Sequence, residues 1–204
     1  MKASETGERT GARGGSLTLV RAPSPALSPA SAGAAGDIDA LARVARGDVG
    51  ALGELYDRHA SALLRFAARS VGPHDAEDLV QSTFVRAAKA AATFDGRSAS
   101  ARNWLFGIAA RLVQERRRSF ARFARALLRF DVPTAVLPMD GPRKDLAKGL
   151  AQLKEAKRVV LLLVEVEGFT SAEVATMLGV PVGTVWTRLH HARRQMRAFY
   201  EETS

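Results

Sequence analysis

Two groups of side chains in this 204-residue sequence could form a chemical surface, and both suit a polyanion. The first lies in residues 97–130, where nine arginines stand against one acid, Glu115. Arg97, Ser98, Arg102, Asn103, Trp104, Arg111, Arg116 and Arg117 fall there, with Phe106, Phe120 and Phe123 among the charges. Guanidinium groups can follow a phosphate backbone, and aromatic faces can stack on unpaired bases. Trp104, Ile108 and Leu112 recur at i, i+4 and i+8, a spacing that turns the indole towards a core. Arg102, Asn103 and the loop before them are the better candidates for touching DNA. The second group lies near the C-terminus, where Thr184, Thr187, Arg188, His191 and Arg194 share one side of a helix, with Trp186 on its flank. Short hydroxyls and arginine near a helix start suit base edges in a major groove, while Arg193, Arg194 and Arg197 suit phosphates. The formal charge of +9 is concentrated in these two places, so counterion release from nucleic acid is the natural driving force.

A third group has the opposite sign. Asp75, Asp78, Ser82, Arg86 and Lys89 share the outer side of one helix, with Gln81 beside them. An acidic helix start repels DNA, so this face suits a protein.

The remaining chemistry is narrow. His59, His74, His190 and His191 show no metal-ligand spacing such as His-Glu-x-x-His, and no nucleophile elbow or phosphate loop occurs. There is no cysteine, which removes disulfides, thiolate metal sites and cysteine nucleophiles. The sequence therefore predicts no enzyme, no catalytic residue, no metal, no cofactor and no small-molecule substrate. The longest apolar run, Val159 to Val164, is far short of a membrane span, and no signal-peptide core is present. A cytoplasmic protein without direct membrane insertion is expected.

The elements that must hold these groups read as helices throughout, and the fold class is all-α. Residues 1–36, rich in Gly, Ala, Ser and Pro, read as a disordered tail. Residues 37–130 read as four helices. Asp37 can cap the first and Asp48 the second, which carries Leu52, Leu55, Tyr56, His59, Leu63 and Phe66 at helical spacing. Pro73 suits the first turn of the third, whose inner stripe is Ala76, Val80, Phe84, Ala87 and Ala91. The fourth runs from about Ala101 to Phe130, with Ser119 as a point where it could break. Pro133, Pro138 and Pro142 make residues 131–144 a flexible linker. Residues 145–204 are helical again. There Thr170 and Glu173 form a capping box, Gly179 permits a sharp turn, and Pro181 opens a helix with the inward stripe Val185, Leu189, Ala192, Met196 and Phe199. A capped helix, a tight turn and a basic second helix make a helix-turn-helix.

These blocks, in this order, resemble bacterial extracytoplasmic-function sigma factors of the sigma-70 family, the promoter-specificity subunits of RNA polymerase. Asp75-Ala76-Glu77-Asp78-Leu79-Val80-Gln81-Ser82-Thr83-Phe84 looks like the core-binding helix of their region two. Gly168 through Arg193 looks like region four, and Trp104-Leu105 followed by Ile108-Ala109 fits the segment that reads the −10 element. The resemblance implies two small helical domains on a linker, region two in residues 37–130 and region four in residues 145–204. It implies that Asp75, Glu77, Asp78 and Gln81 meet the clamp of the largest polymerase subunit, the polymerase flap being a further contact. Arg97, Ser98, Arg102, Asn103, Trp104, Arg111, Arg116 and Arg117 would then serve the −10 element. Thr184, Trp186, Thr187, Arg188, His191 and Arg194 would read the −35 element as duplex. It also implies an anti-sigma partner. The sequence departs from the family at Phe94-Asp95-Gly96-Arg97, where Phe-Arg-Gly-Glu is frequent, and at Ala101, Arg111, Lys154 and Trp186. The rival reading, a helix-turn-helix regulator acting without polymerase, accounts for residues 168–197 but not for the arginine-rich and acidic helices.

Overall fold

The computed structural model describes residues 30–96, 100–127 and 142–203, with side chains described for 35–96, 100–116 and 145–203. Every regular element among them is helical. Helix α1 spans Ala30–Ala45, α2 Val49–Val71, α3 Ala76–Ala90 and α4 Ala101–Leu127, with a 3₁₀ turn at Ala91–Thr93. Helix α5 spans Pro142–Gln152, α6 Glu155–Leu161, α7 Ser171–Leu178 and α8 Val182–Thr203, with a π turn at Leu162–Val166 between α6 and α7. The expected tail before Ala30 and most of the expected linker lie outside the described residues.

Local chemistry sets most boundaries. The Asp48 carboxylate accepts the Ala51 amide at 3.1 Å and so starts α2. Gly72, at φ 95°, ends it, and Pro73 lies in the turn that precedes α3 rather than in its first turn. Helix α1 begins earlier than expected, because the alanine-rich run from Ala30 favours helix. Asp37 consequently sits within α1 and caps nothing. It is buried, its carboxylate bound by the Arg58 guanidinium and, at 2.8 Å, by His59 Nε2, which ties α1 to α2. Helix α4 runs through Ser119 without a break. The apolar run after Val159 changes its winding: the Glu167 amide donates five residues back to Leu162 at 3.0 Å, and the Phe169 amide donates to Leu163 at 3.0 Å.

Helices α1–α4 enclose one apolar interior and α5–α8 another, and the two meet. Phe66 of α2, Phe106 of α4 and Phe169 before α7 stack edge-on in a row, with ring centroids 5.5 and 5.2 Å apart. Phe106 is fully buried at that seam. Gly107 brings α7 against α4: a Cβ placed there would stand 3.6 Å from the Met177 Cα. Arg158 of α6 donates to the Ser70 carbonyl of α2 at 3.0 Å and closes the other side of the seam.

Candidate nucleic-acid interface

The C-terminal surface is built as the sequence predicts. The Thr170 hydroxyl accepts the Glu173 amide at 3.2 Å, and the Glu173 carboxylate accepts the Thr170 amide at 2.8 Å, a complete capping box at the start of α7. Helix α7 ends on Gly179 in the left-handed conformation, φ 64°. Its amide and that of Val180 turn back to Thr176 and Ala175, which fixes the angle at which α8 leaves. Val185, Leu189 and Ala192 are buried, so the opposite side of α8 faces outwards. On that side Trp186, Thr187 and Arg194 are exposed, and Thr184, Arg188 and His191 are half-buried. Trp186 is 62% exposed, an unusual exposure for so large an apolar ring. Arg193, expected to serve phosphates, pairs with Glu165 of the π turn.

The acidic helix α3 also presents the expected side chains. Asp78, Gln81, Ser82, Val85, Arg86 and Lys89 line a shallow groove floored by Leu112 of α4. The structure adds partners from α4. Arg116 pairs with Asp78 and lies 3.9 Å from Asp75, and Arg86 binds Glu115 at 2.8 Å. Arg116, placed with the −10 group by the sequence, therefore stands against the acids of the protein-facing group. Asp75, Glu77, Asp78 and Gln81 are all exposed.

The start of α4 departs most from expectation. Arg97 and Ser98, and the side chain of Arg117, lie outside the described residues. Ser100 caps the helix, its hydroxyl accepting the Asn103 amide at 3.1 Å. Trp104 is half-buried against Phe94, ring centroids 5.2 Å apart, so the indole is partly core, as its spacing indicates. Arg102, Asn103 and Arg111 all donate across to the C-terminal half, Arg102 and Asn103 being half-buried and Arg111 exposed. Arg102 donates to the Glu167 carboxylate and carbonyl, each at 3.0 Å, while its guanidinium lies over the rings of Phe106 and Phe169. Asn103 donates to the Glu173 carboxylate at 2.7 Å, and Arg111 to the Met177 carbonyl at 3.1 Å. The sequence reading missed Glu167, Glu173 and Met177 as partners of this group, because nothing local links residues more than sixty positions apart.

Burial dominates the electrostatics of this contact. It pushes the Glu167 carboxyl above its ordinary range, against the pull of Arg102, Arg65 and Arg69. It likewise lowers the Arg102 guanidinium, against the raising effect of Glu167 and Glu173. Both shifts say that desolvation outweighs the attraction between the partners. Glu173 differs: burial raises it, but the donors on Thr170 and Asn103 together bring its carboxyl below the usual value.

Among the described residues there is no cluster of ligating side chains that could hold a metal ion, and no helix is long and apolar enough to cross a membrane.

Comparison with known proteins agrees with this layout. The family model for sigma-70 region 2 matches residues 55–128, and that for sigma-70 region 4 matches residues 143–196. The ECF RNA polymerase sigma factor SigL of Mycobacterium tuberculosis is 36% identical over 156 residues, covering 72% of this chain and 88% of SigL. The RNA polymerase sigma factor NccH of Alcaligenes xylosoxydans xylosoxydans is 34% identical over 180 residues, covering 81% of this chain and 95% of NccH. Among solved structures, CnrH in complex with the cytosolic domain of CnrY has a TM-score of 0.61 at 30% identity, covering 83% of this chain and 99% of CnrH. The sigma factor RpoE in complex with the anti-sigma factor NepR from Bartonella quintana has a TM-score of 0.64 at 25% identity, covering 73% and 96%. With a capped helix-turn-helix following an acidic and a basic helix, and relatives matched over most of their length, the chain belongs to the extracytoplasmic-function RNA polymerase sigma factors of the sigma-70 family.

Proposed function

We propose that this chain directs core RNA polymerase to specific promoters, reading a −35 element as duplex and opening a −10 element. The observation that carries this reading is the presence in one chain, in family order, of a protein-facing acidic helix, an arginine-rich helix and a capped helix-turn-helix. Thr184, Trp186, Thr187, Arg188, His191 and Arg194 read the −35 element, since they occupy the outward side of α8. Arg97, Ser98, Arg102, Asn103, Trp104, Arg111, Arg116 and Arg117 serve the −10 strand. A base taken out of the stack there costs a few kcal/mol, which a dedicated pocket returns only for the right base. Asp75, Glu77, Asp78 and Gln81 hold the polymerase clamp, and the groove between α3 and α4 supports this by setting Asp78 and Gln81 beside the apolar Val85 and Leu112. Two solved relatives are complexes, one with CnrY and one with the anti-sigma factor NepR, and a partner of the anti-sigma class is proposed for this chain.

The test is reconstitution. Core polymerase plus this protein is expected to give transcripts from defined starts, and Asp78→Arg with Gln81→Ala is expected to lower them by weakening core binding. An absence of transcripts, with operator binding retained, would establish the rival regulator instead.

A further inference from the structure

Trp186 is exposed over most of its surface, whereas Trp104, the second tryptophan of the chain, is half-buried against Phe94. Its direction follows from the helix. Val185, Leu189 and Ala192 hold the inner side of α8, and the residue after Val185 is turned by about 100°, onto the flank. The helix around it is cationic: Arg188, Arg194 and Arg197 are on α8, and the first acid of that helix is Glu201. An apolar protein surface laid here would have to strip water from those guanidinium groups, whereas a polyanion complements them. Trp186 thus carries an uncovered apolar ring on a helix suited to DNA.

The side chains next to the ring offer fewer hydrogen bonds than their types suggest. The Thr187 hydroxyl donates to the Gly183 carbonyl at 2.9 Å, so its hydrogen is spent inside α8, leaving a methyl group and a lone pair for a base edge. Arg193, two turns on from Trp186 along the same flank, is taken by Glu165. A helix with its side chains is about 10–12 Å across and the major groove about 12 Å wide, so the flanks of α8 meet the groove as well as its outer side. The apolar group that a base pair presents in that groove is the thymine 5-methyl. Cytosine presents an amino donor there and guanine two acceptors, and an indole ring laid on either would cover polar groups without pairing them.

We propose that Trp186 selects thymine in the −35 element, its indole ring packing on the 5-methyl group in the major groove. The proposal rests on the assignment of the outward side of α8 to the −35 element and names the group that is read there. It makes the contact one of apolar area rather than of hydrogen bonding, since the indole has a single donor and no acceptor.

Deoxyuridine isolates that contact, because it lacks the 5-methyl group and keeps every hydrogen-bonding group of thymidine. The full chain is assembled with core polymerase on the promoter found by mapping transcript starts, and each −35 thymine, on either strand, is replaced in turn by deoxyuridine at one fixed salt concentration. At one or two neighbouring A·T pairs the replacement is expected to weaken binding about fourfold, the equivalent of one methyl group returned to water. At those pairs Trp186→Ala is expected to bind thymine and deoxyuridine equally, and Trp186→Phe, which keeps an aromatic ring, to retain the preference. Equal binding of all the substituted promoters by the unaltered chain overturns the thymine contact, and so does a preference that persists undiminished in Trp186→Ala. In both cases transcription from defined starts leaves the promoter reading in place; its absence overturns both.

Discussion

Glu173 does two jobs, and separating them tests whether α7 rests on α4 in solution. Thr170→Ala removes the hydroxyl that accepts the Glu173 amide at 3.2 Å, and with it one side of the capping box. Such a loss costs about 1 kcal/mol. Glu173→Ala removes the other side of the box, the acceptor of the Thr170 amide at 2.8 Å, and also the acceptor of Asn103 at 2.7 Å. A hydrogen bond to a charged group contributes roughly 1.5–3 kcal/mol when shielded. This one is only partly buried, so solvent reduces it to about 1 kcal/mol. Glu173→Ala is therefore expected to cost about 2 kcal/mol against about 1 kcal/mol for Thr170→Ala. In an Asn103→Ala background the two costs should converge, giving a coupling of about 1 kcal/mol between Asn103 and Glu173. Urea unfolding of the six proteins, with slopes compared to confirm that the same surface is exposed, supplies the numbers. Equal costs for the two single variants, or a coupling below about 0.3 kcal/mol, would show that the Asn103–Glu173 bond between α4 and α7 contributes nothing in solution.

Three further outcomes follow from the same structure. Glu173 has a depressed carboxyl in the folded protein, so its contribution is present above the ordinary value of 4.5 and lost as the pH falls through the folded one. Glu173→Gln should accordingly flatten the acid limb of stability below about pH 5 in urea melts at stepped pH. Phe106→Ala, at the fully buried seam between Phe66 and Phe169, should cost about 3–5 kcal/mol in thermal or urea unfolding, more than Phe106→Leu. Arg188→Ala should relax −35 preference by about 1–3 kcal/mol in binding to a panel of altered sites; a uniform loss across all sites would make Arg188 a phosphate contact instead.

The sequence by itself determined what depends on near neighbours. The Thr170–Glu173 box, the left-handed Gly179 and the Asp48 cap each involve residues within a few positions, and all three are present. Helical periodicity likewise named the inner stripe of α8, because a face that must leave water repeats every three to four residues. The charge surplus in residues 97–130 and the acids of α3 were legible for the same reason: charge is a property of composition and spacing. Tertiary structure alone decided the partners. Asp37 looked like a cap and became a buried anchor for Arg58 and His59, once alanine extended α1 past it. Arg116 turned to the acids of α3, Phe106 joined a row of rings across the seam, and Arg102, Asn103 and Arg111 met acceptors 65 to 70 positions away. Periodicity says which side of a helix must be covered, but not which helix covers it. That choice rests on how complementary surfaces fit once the chain has folded back on itself.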